Sequence, residues 1–137
     1  MPGLLVIAHA PLASALKAVA EHTFPNCAPQ LLVLDVTPDM TAEMVESRAR
    51  ALLAAGGHAE TLVLTDVFGA TPCNGAQRLL DASGQVSVLS GVNVPMLWRS
   101  LCYAHEPLNA LLQRAADGGR QGIVQGESAQ TVSNVSS

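Results

Sequence analysis

The sequence contains few aromatic residues and no cluster of basic ones, and both shortages limit what the protein can do. Aromatic residues make up 3% of the 137 positions while 49% are apolar, so the core must be built from small aliphatic side chains. The formal net charge is −4, and lysine and arginine never occur in a run. Because binding to a phosphate backbone requires clustered basic side chains, we expect no nucleic-acid partner.

Long apolar runs are missing as well. No apolar stretch approaches the roughly 20 residues that cross a membrane, so we predict no membrane insertion. The apolar N-terminus and the triplet Ala13-Ser14-Ala15 imitate a secretory signal. However, no positive charge precedes this run, which is short and interrupted by His9 and Pro11, so we predict no export.

Cysteine pairs are also absent, since Cys27, Cys73 and Cys102 are odd in number and lack the spacing of a zinc site. We interpret them as reduced thiols of a cytoplasmic protein. We expect no metal and no cofactor. The sequence has no cluster of metal-ligating residues and no Walker, dinucleotide-binding or serine-nucleophile motif.

Apolar segments alternate with helical patterns along the chain, which predicts the fold class. We predict strands at residues 4–8, 31–36, 62–64 and 85–90, with helices between them. This alternation favours an α/β fold with a doubly wound, mostly parallel sheet, a flavodoxin-like three-layer α/β/α arrangement. The helix after residue 107 is expected to end at Gly118-Gly119, and residues 122–125 to form a last short strand. We assign residues 1–125 to one domain and the polar residues 126–137 to a flexible tail.

One stretch, from Thr61 to Gly75, has the pattern of a ligand site. An apolar strand ends at Asp66 and is followed by a small-residue turn and then a helix from about residue 72 to 82. We interpret Thr71 as the N-cap of that helix, with proline at its first position. Gly75 lies inside the helical pattern and is expected to mark close packing. A carboxylate at the carboxyl end of a strand, beside a helix start, lies where open α/β sheets bind ligands.

His9 ends the first predicted strand in the same way, whereas His22, His58 and His105 lie at helix ends or in loops. If the first and third strands are neighbours, as in flavodoxin-like order, His9 and Asp66 meet at one edge of the sheet. The carboxylate would accept Nδ1–H and leave the Nε2 lone pair free as a nucleophile or base, which suggests phosphoryl transfer.

Each of these residues also has a structural interpretation. His9 could be a histidine with only a structural role, and Asp66 could cap the turn between Gly69 and Thr71. The Thr71 hydroxyl and the amides after it could hold a phosphate as well as cap a helix.

The chain resembles the IIA component of the mannose/fructose class of the phosphoenolpyruvate-dependent sugar phosphotransferase system (PTS). The resemblance covers about residues 4–124 and is carried by three blocks. They are LVIAH at residues 5–9 with Leu12-Ala13, DVFGATPCN at residues 66–74, and SGVNVPML at residues 90–97. The second block is similar to the family pattern D-x-[WF]-G-G-[ST]-P-x-N, and the third to [TS]-G-V-N-[LIV]-P-M-L.

The resemblance implies a phosphotransferase in which His9 accepts a phosphoryl group from the phosphocarrier protein HPr and passes it to a IIB component. It implies that Asp66 orients the imidazole and that a last antiparallel strand is exchanged in a homodimer, which would be the role of residues 122–125. On this basis, Phe68 is expected on the docking surface. The phosphate oxygens are expected near four residues, namely Thr71, Gly69, Ala70 and Asn74.

The chain departs from the family pattern at two places. It has Ala8-His9-Ala10-Pro11 where the family often has Thr-His-Gly, so a hydroxyl before the histidine is missing, and Ala70 replaces a usual glycine. The nucleophile and the acid are both retained.

Other functions remain open at this point. The same residues would serve a regulatory module that is phosphorylated on His9 and reports nutrient state. They would also serve the phosphoryl-donor subunit of dihydroxyacetone kinase, which shares this fold. A ligand-binding flavodoxin-like domain is the plainest alternative. The resemblance implies that the chain contacts only proteins, so none of its residues is expected to bind the sugar.

Overall fold

The computed structural model describes residues 1–128. The predicted tail at residues 126–137 therefore lies mostly outside the described residues. A 3₁₀ turn spans Ala28–Gln30. The strands and helices are β1 (Gly3–His9), α1 (Leu12–Thr23), β2 (Leu32–Val36), α2 (Ala42–Gly56), β3 (Thr61–Thr65), α3 (Thr71–Gln77), β4 (Val86–Ser90), α4 (Val94–Cys102) and α5 (Leu108–Gln121).

The described strands form one parallel sheet in the order β2-β1-β3-β4. β1 and β3 are therefore neighbours at the centre, as the flavodoxin-like order predicted. Both are buried along nearly their whole length, which agrees with their continuous apolar composition.

The two faces of the sheet are covered by different helices, which confirms the three-layer prediction. Alternate β1 residues point to opposite faces: Leu4 and Val6 pack with apolar residues of α1, α4 and α5, while Leu5 and Ile7 pack with residues of α2 and α3. β1 is thereby held from both sides, and its end is fixed relative to β3.

Gly75 permits close contact between α3 and α2, as predicted. A Cβ atom at this position would lie 2.4 Å from Val45 Cγ1 and 3.1 Å from the Ala42 carbonyl oxygen. Any larger residue would push α3 away from α2 and so displace the loop that enters α3.

Two predicted helix ends are wrong. α3 ends at Gln77 instead of about residue 82. α5 continues through Gly118 and Gly119 to Gln121. These two glycines do not end the helix but allow α5 to pack closely against α4. A Cβ atom on Gly118 would lie 2.6 Å from Arg99 Cβ.

The predicted last strand is not formed in the single chain. Residues 123–128 are neither helix nor strand, and Ile123 and Val124 are each 80% exposed. The exchange of this segment with a partner stays a prediction, because it requires a second chain.

Candidate active site

His9 and Asp66 lie together at the carboxyl edge of the sheet. β1 pairs with β3 so that Ile7 is opposite Thr65, and His9 ends β1 while Asp66 directly follows β3. The Nδ1 atom of His9 is 2.7 Å from Oδ2 of Asp66. The structure therefore brings together the two side chains that the topology placed at this edge.

The carboxylate of Asp66 binds more than the imidazole ring. Its Oδ2 also accepts a hydrogen bond from the backbone N–H of His9 at 2.9 Å, and its Oδ1 accepts from the backbone N–H of Val67 at 2.8 Å. Asp66 thus holds both the ring and the backbone of His9. These bonds do not reach the turn at residues 69–71, so the interpretation of Asp66 as the cap of that turn is wrong.

Hydrogen bonding keeps Asp66 ionised. Partial burial acts to raise the pKa of this carboxyl, but the backbone N–H and the ring of His9 and the N–H of Val67 act against it, and the pKa lies below its usual value of 3.8. At neutral pH the carboxylate is therefore only an acceptor.

The ionised carboxylate fixes the tautomer of His9. Because Oδ2 can only accept, Nδ1 must carry the proton, and Nε2 keeps its lone pair in the neutral ring. The His9 side chain is 52% exposed whereas that of Asp66 is 13% exposed. A largely covered acid thus contacts a histidine ring that is half exposed to solvent.

The loop after β4 joins this site from the other side. The N–H of Gly91 donates to the Asp66 carbonyl oxygen at 2.6 Å, and the N–H of Val92 donates to that of Thr65 at 2.9 Å. At the ends of β3 and β4, the Thr65 hydroxyl also donates to Ser90 Oγ at 2.9 Å. The block at residues 90–97 is therefore tied directly to the backbone of Asp66.

Cys73 connects α3 to this loop. Its buried Sγ lies 3.3 Å from Ser90 Oγ. Burial acts to raise the pKa of the thiol, but hydrogen bonds, with that of Ser90 the strongest, hold it below the usual value of 9.0. We interpret this thiol as a packing and hydrogen-bonding group that fixes the start of α3.

The turn between Asp66 and α3 corrects one prediction. The residue before α3 is Ala70, in an extended conformation and without a side-chain hydrogen bond, so Thr71 is the first helical residue and is not the N-cap. Gly69 has a φ of +90°, which favours glycine, and its carbonyl oxygen accepts from Asn74 Nδ2 at 3.1 Å. Asn74 therefore stabilises the turn.

Exposed apolar side chains occur in the segments that follow His9 and Asp66 along the chain. Phe68 is 74% exposed and Val67 is 54% exposed in the loop after β3, and Leu12 is 39% exposed at the start of α1. We call Leu12, Val67 and Phe68 the apolar rim. Such large apolar side chains are exposed to solvent in segments that adjoin His9 and Asp66 in the chain.

Sequence reasoning missed Asp35, on β2. Its carboxylate accepts hydrogen bonds from the backbone N–H of Ser14 at 3.1 Å and from the Ser14 hydroxyl. The available signal was the position of the acid, one residue before the end of an apolar strand.

The other histidines lie apart from His9 and Asp66. His22 is in the last turn of α1. His58 and His105 line a cavity of about 240 Å³ that also includes Gly3 and Leu4, at the opposite, N-terminal edge of the sheet. His58 Nδ1 lies 3.2 Å from the Met1 carbonyl oxygen.

Within residues 1–128, no three His, Cys, Asp or Glu side chains come together as they would around a metal ion. None of the helices in this range is long and apolar enough to cross a membrane.

A family model described as the PTS system fructose IIA component (EIIA-man) matches residues 3–115 of the chain. The chain belongs to this family. It is accordingly a IIA component of the sugar phosphotransferase system, a group of proteins that transfer phosphoryl groups.

Two relatives illustrate the similarity to EIIA-man proteins. The sorbose-specific EIIA component of Lacticaseibacillus casei is 28% identical over 94 residues, which cover 69% of this chain and 67% of that protein. The mannose-specific EIIAB component of Escherichia coli K12 is 30% identical over 93 residues, 66% of this chain. The match spans only 29% of the E. coli protein's length.

Solved EIIA structures share the fold. The mannose/sorbose-specific IIA subunit from Enterococcus faecalis superposes with a TM-score of 0.84 at 23% identity, covering 93% of this chain and 96% of that one. The EIIA component from Streptococcus agalactiae superposes with a TM-score of 0.82 at 22% identity, covering 91% and 97%.

Proposed function

We propose that this chain is a histidine phosphocarrier that accepts a phosphoryl group from HPr on His9 and passes it to a IIB component. The single observation that best supports the proposal is the 2.7 Å contact between His9 Nδ1 and Asp66 Oδ2, combined with the exposure of the histidine ring. A half-exposed imidazole with a fixed tautomer is a nucleophile that a second protein can reach.

The two transfer steps follow from this arrangement. In the first, the Nε2 lone pair forms a bond to phosphorus while the bond between phosphorus and the donor breaks, and the donor keeps that electron pair. The ring becomes positively charged, and the Asp66 carboxylate stabilises this charge through Nδ1–H. In the second, the nucleophile of the IIB component attacks phosphorus, and His9 returns to the neutral imidazole.

We further propose that the turn at the start of α3 holds the phosphate oxygens. Thr71 would contribute its hydroxyl, and Gly69 and Ala70 would contribute the backbone of the turn. Because the Asn74 amide already donates to the Gly69 carbonyl, its proposed role is to keep that turn in shape.

The direct test is to incubate the protein with phosphoenolpyruvate, enzyme I and HPr, and to map the phosphate by mass spectrometry at neutral pH. One acid-labile phosphate per chain, located on His9, is the expected result. No label with active controls would contradict the proposal.

We also propose a cytoplasmic location for the protein. Its three cysteines, Cys27, Cys73 and Cys102, are free thiols, as expected in a reducing compartment.

We propose that the apolar rim binds the partner proteins, and Phe68→Ala tests this. Truncating an aromatic anchor of an interface commonly costs more than 1 kcal/mol, so the apparent KM for phosphorylated HPr should rise about tenfold. The maximal rate should change little, because Phe68 makes no hydrogen bond to the His9–Asp66 pair within the described chain. Steady-state transfer kinetics measure both constants.

The matched control is Val19→Ala. Val19 is 44% exposed, but it lies in α1 away from the rim, so its truncation should leave both constants unchanged. An unchanged KM for Phe68→Ala would exclude Phe68 from the docking surface.

We also propose a homodimer in which residues 122–125 add a strand to the partner's sheet. The proposal is supported by the position of β4, which pairs only with β3 in the described chain, and by the exposure of Ile123 and Val124. Sedimentation should give twice the 14.2 kDa chain mass. Ile123→Asp, which charges this segment, should shift the protein to monomer. A monomeric wild type would contradict the proposal.

A further inference from the structure

The helix that follows His9 has no N-terminal cap of its own. α1 begins at Leu12, the residue before it is Pro11, which makes no side-chain cap, and the first turn contains no acid. The first amides of a helix need acceptors from elsewhere. Asp35 of β2 supplies one, because its Oδ1 accepts from the backbone N–H of Ser14 at 3.1 Å. The Ser14 hydroxyl donates to the other carboxylate oxygen.

The strand that carries Asp35 holds the same segment at a second point. In the register of β1 with β2, Ala8 pairs with Asp35 and His9 pairs with Val36. The Val36 carbonyl oxygen accepts from the backbone N–H of Ala10 at 2.9 Å. Two consecutive residues of β2 therefore fix the segment between His9 and the first turn of α1.

These contacts matter because packing alone cannot hold His9. Its side chain is 52% exposed, so few neighbours restrict the ring, and the contact with Asp66 depends on where the backbone places it. Asp66 fixes His9 from β3. The contacts from β2 fix the residues that follow His9, so the histidine lies between two anchored points.

We propose that Asp35 is a positioning residue for phosphoryl transfer. Acting through Ser14, it fixes the segment between β1 and α1 and so keeps the His9 ring against Asp66. A carboxylate suits this role, since hydrogen bonds to a charged acceptor are stronger than neutral ones and a negative charge is favourable at a helix N-terminus. The proposal rests on the proposed function of His9.

The chain offers a matched control for Asp35 at the other end of the molecule. The carboxylate of Asp81 accepts from the backbone N–H of Ser83 at 2.9 Å and also from the Ser83 hydroxyl, which is the same pair of contacts. Asp81 precedes β4 and therefore lies at the N-terminal edge of the sheet. Asp35→Ala and Asp81→Ala remove equivalent bonds, but only the first affects the segment after His9.

Two measurements separate a positioning role from a purely structural one. The first is the initial rate of phosphate uptake from phosphorylated HPr, and the second is the tautomer ratio of the His9 ring by ¹⁵N NMR. For Asp35→Ala we expect about a tenfold lower rate and a mixture of the two ring tautomers. Asp35→Asn should recover part of the rate, because its amide oxygen can still accept from Ser14. Asp81→Ala should match the wild type in both.

A wild-type rate and a single tautomer in Asp35→Ala would overturn the proposal, even if that variant is less stable. If Asp35→Ala does not fold, Ser14→Ala removes only the hydroxyl contact, and about a threefold lower rate is then expected; an unchanged rate would equally overturn it. If the wild type takes up no phosphate, the proposed function fails and with it a role of Asp35 in transfer, while the tautomer comparison still decides whether Asp35 positions the His9 ring.

Discussion

His9→Ala should abolish phosphate uptake completely. The only nucleophile proposed for the transfer is the Nε2 lone pair, and alanine offers no replacement. The backbone N–H of residue 9 remains to donate to Asp66, so the loop keeps one of its two bonds to that carboxylate. The expected result is no acid-labile phosphate on any residue, measured by mass spectrometry after incubation with phosphoenolpyruvate, enzyme I and HPr. The cost in unfolding free energy should be about 1.5 kcal/mol, the low end for a hydrogen bond to a charged group, because the ring is half exposed.

The matched control for this variant is His22→Ala. His22 is an exposed histidine in the last turn of the helix that follows His9, so the change removes the same type of side chain without touching Asp66. It should take up phosphate at the wild-type rate. Equal uptake by His9→Ala and the wild type would show that the phosphoryl group is carried elsewhere and would exclude the proposed mechanism.

The sequence was sufficient to predict that His9 and Asp66 lie together, because the signals for each residue are local. Asp66 directly follows a buried strand and precedes a glycine turn, and His9 ends another buried strand. The position of each residue at the end of a strand is therefore indicated by its own neighbours in the sequence. Their contact required only one further assumption, that β1 and β3 are neighbours. That assumption was taken from the flavodoxin-like strand order, one of the common orders of doubly wound sheets, and the observed order agrees with it.

The start of α3 was mispredicted because a proline does not identify which residue of the first turn it occupies. Pro72 is tolerated throughout the first turn of a helix, where its missing N–H would have no partner in any case. The sequence therefore allows Thr71 to be either the N-cap or the first helical residue. The extended conformation of Ala70 decides between them, and it depends on the turn that Gly69 and Asn74 form.

The residues that sequence reasoning missed act through long-range contacts. Asp35 and Ser14 are 21 positions apart, and only the pairing of β1 with β2 brings them together. Gly118 was interpreted as a helix end, yet it permits α5 to pack closely on Arg99 of α4. No local pattern distinguishes a glycine that ends a helix from one that permits two helices to approach.

Asp66→Asn should slow phosphate uptake about 100-fold while leaving the phosphorylation site unchanged. An asparagine can turn its NH₂ group toward Nδ1, which would place the proton on Nε2 and remove the nucleophilic lone pair in most molecules. The positive charge that develops on the ring would also lose its carboxylate partner. Rapid-quench measurement of uptake from phosphorylated HPr gives the rate, and ¹⁵N NMR of the His9 ring gives the tautomer.

Asp39→Asn controls for the loss of a negative charge. The pKa of Asp39 is also lowered, chiefly by the Thr37 hydroxyl, but this carboxylate follows β2 and its bond goes to Thr37 instead of a histidine. Uptake by Asp39→Asn should stay near the wild-type rate. A similar decrease in the uptake rate of both variants would contradict the orienting role of Asp66. It would mean that Asp66 acts only through general electrostatic attraction of the donor.

The pH dependence of stability provides an independent test of the hydrogen bonds that the Asp66 carboxylate accepts from His9 and Val67. Because the pKa of Asp66 is lower in the folded protein than its usual value of 3.8, its carboxylate stabilises the fold above that value, and the stabilisation is lost as the pH falls through the folded-state pKa. The difference in unfolding free energy between wild type and Asp66→Asn should therefore shrink between pH 5 and pH 2, as measured by urea denaturation. A constant difference would mean that the hydrogen bonds from His9 and Val67 do not depend on the charge of Asp66, and the electrostatic part of the proposed mechanism would fail with it.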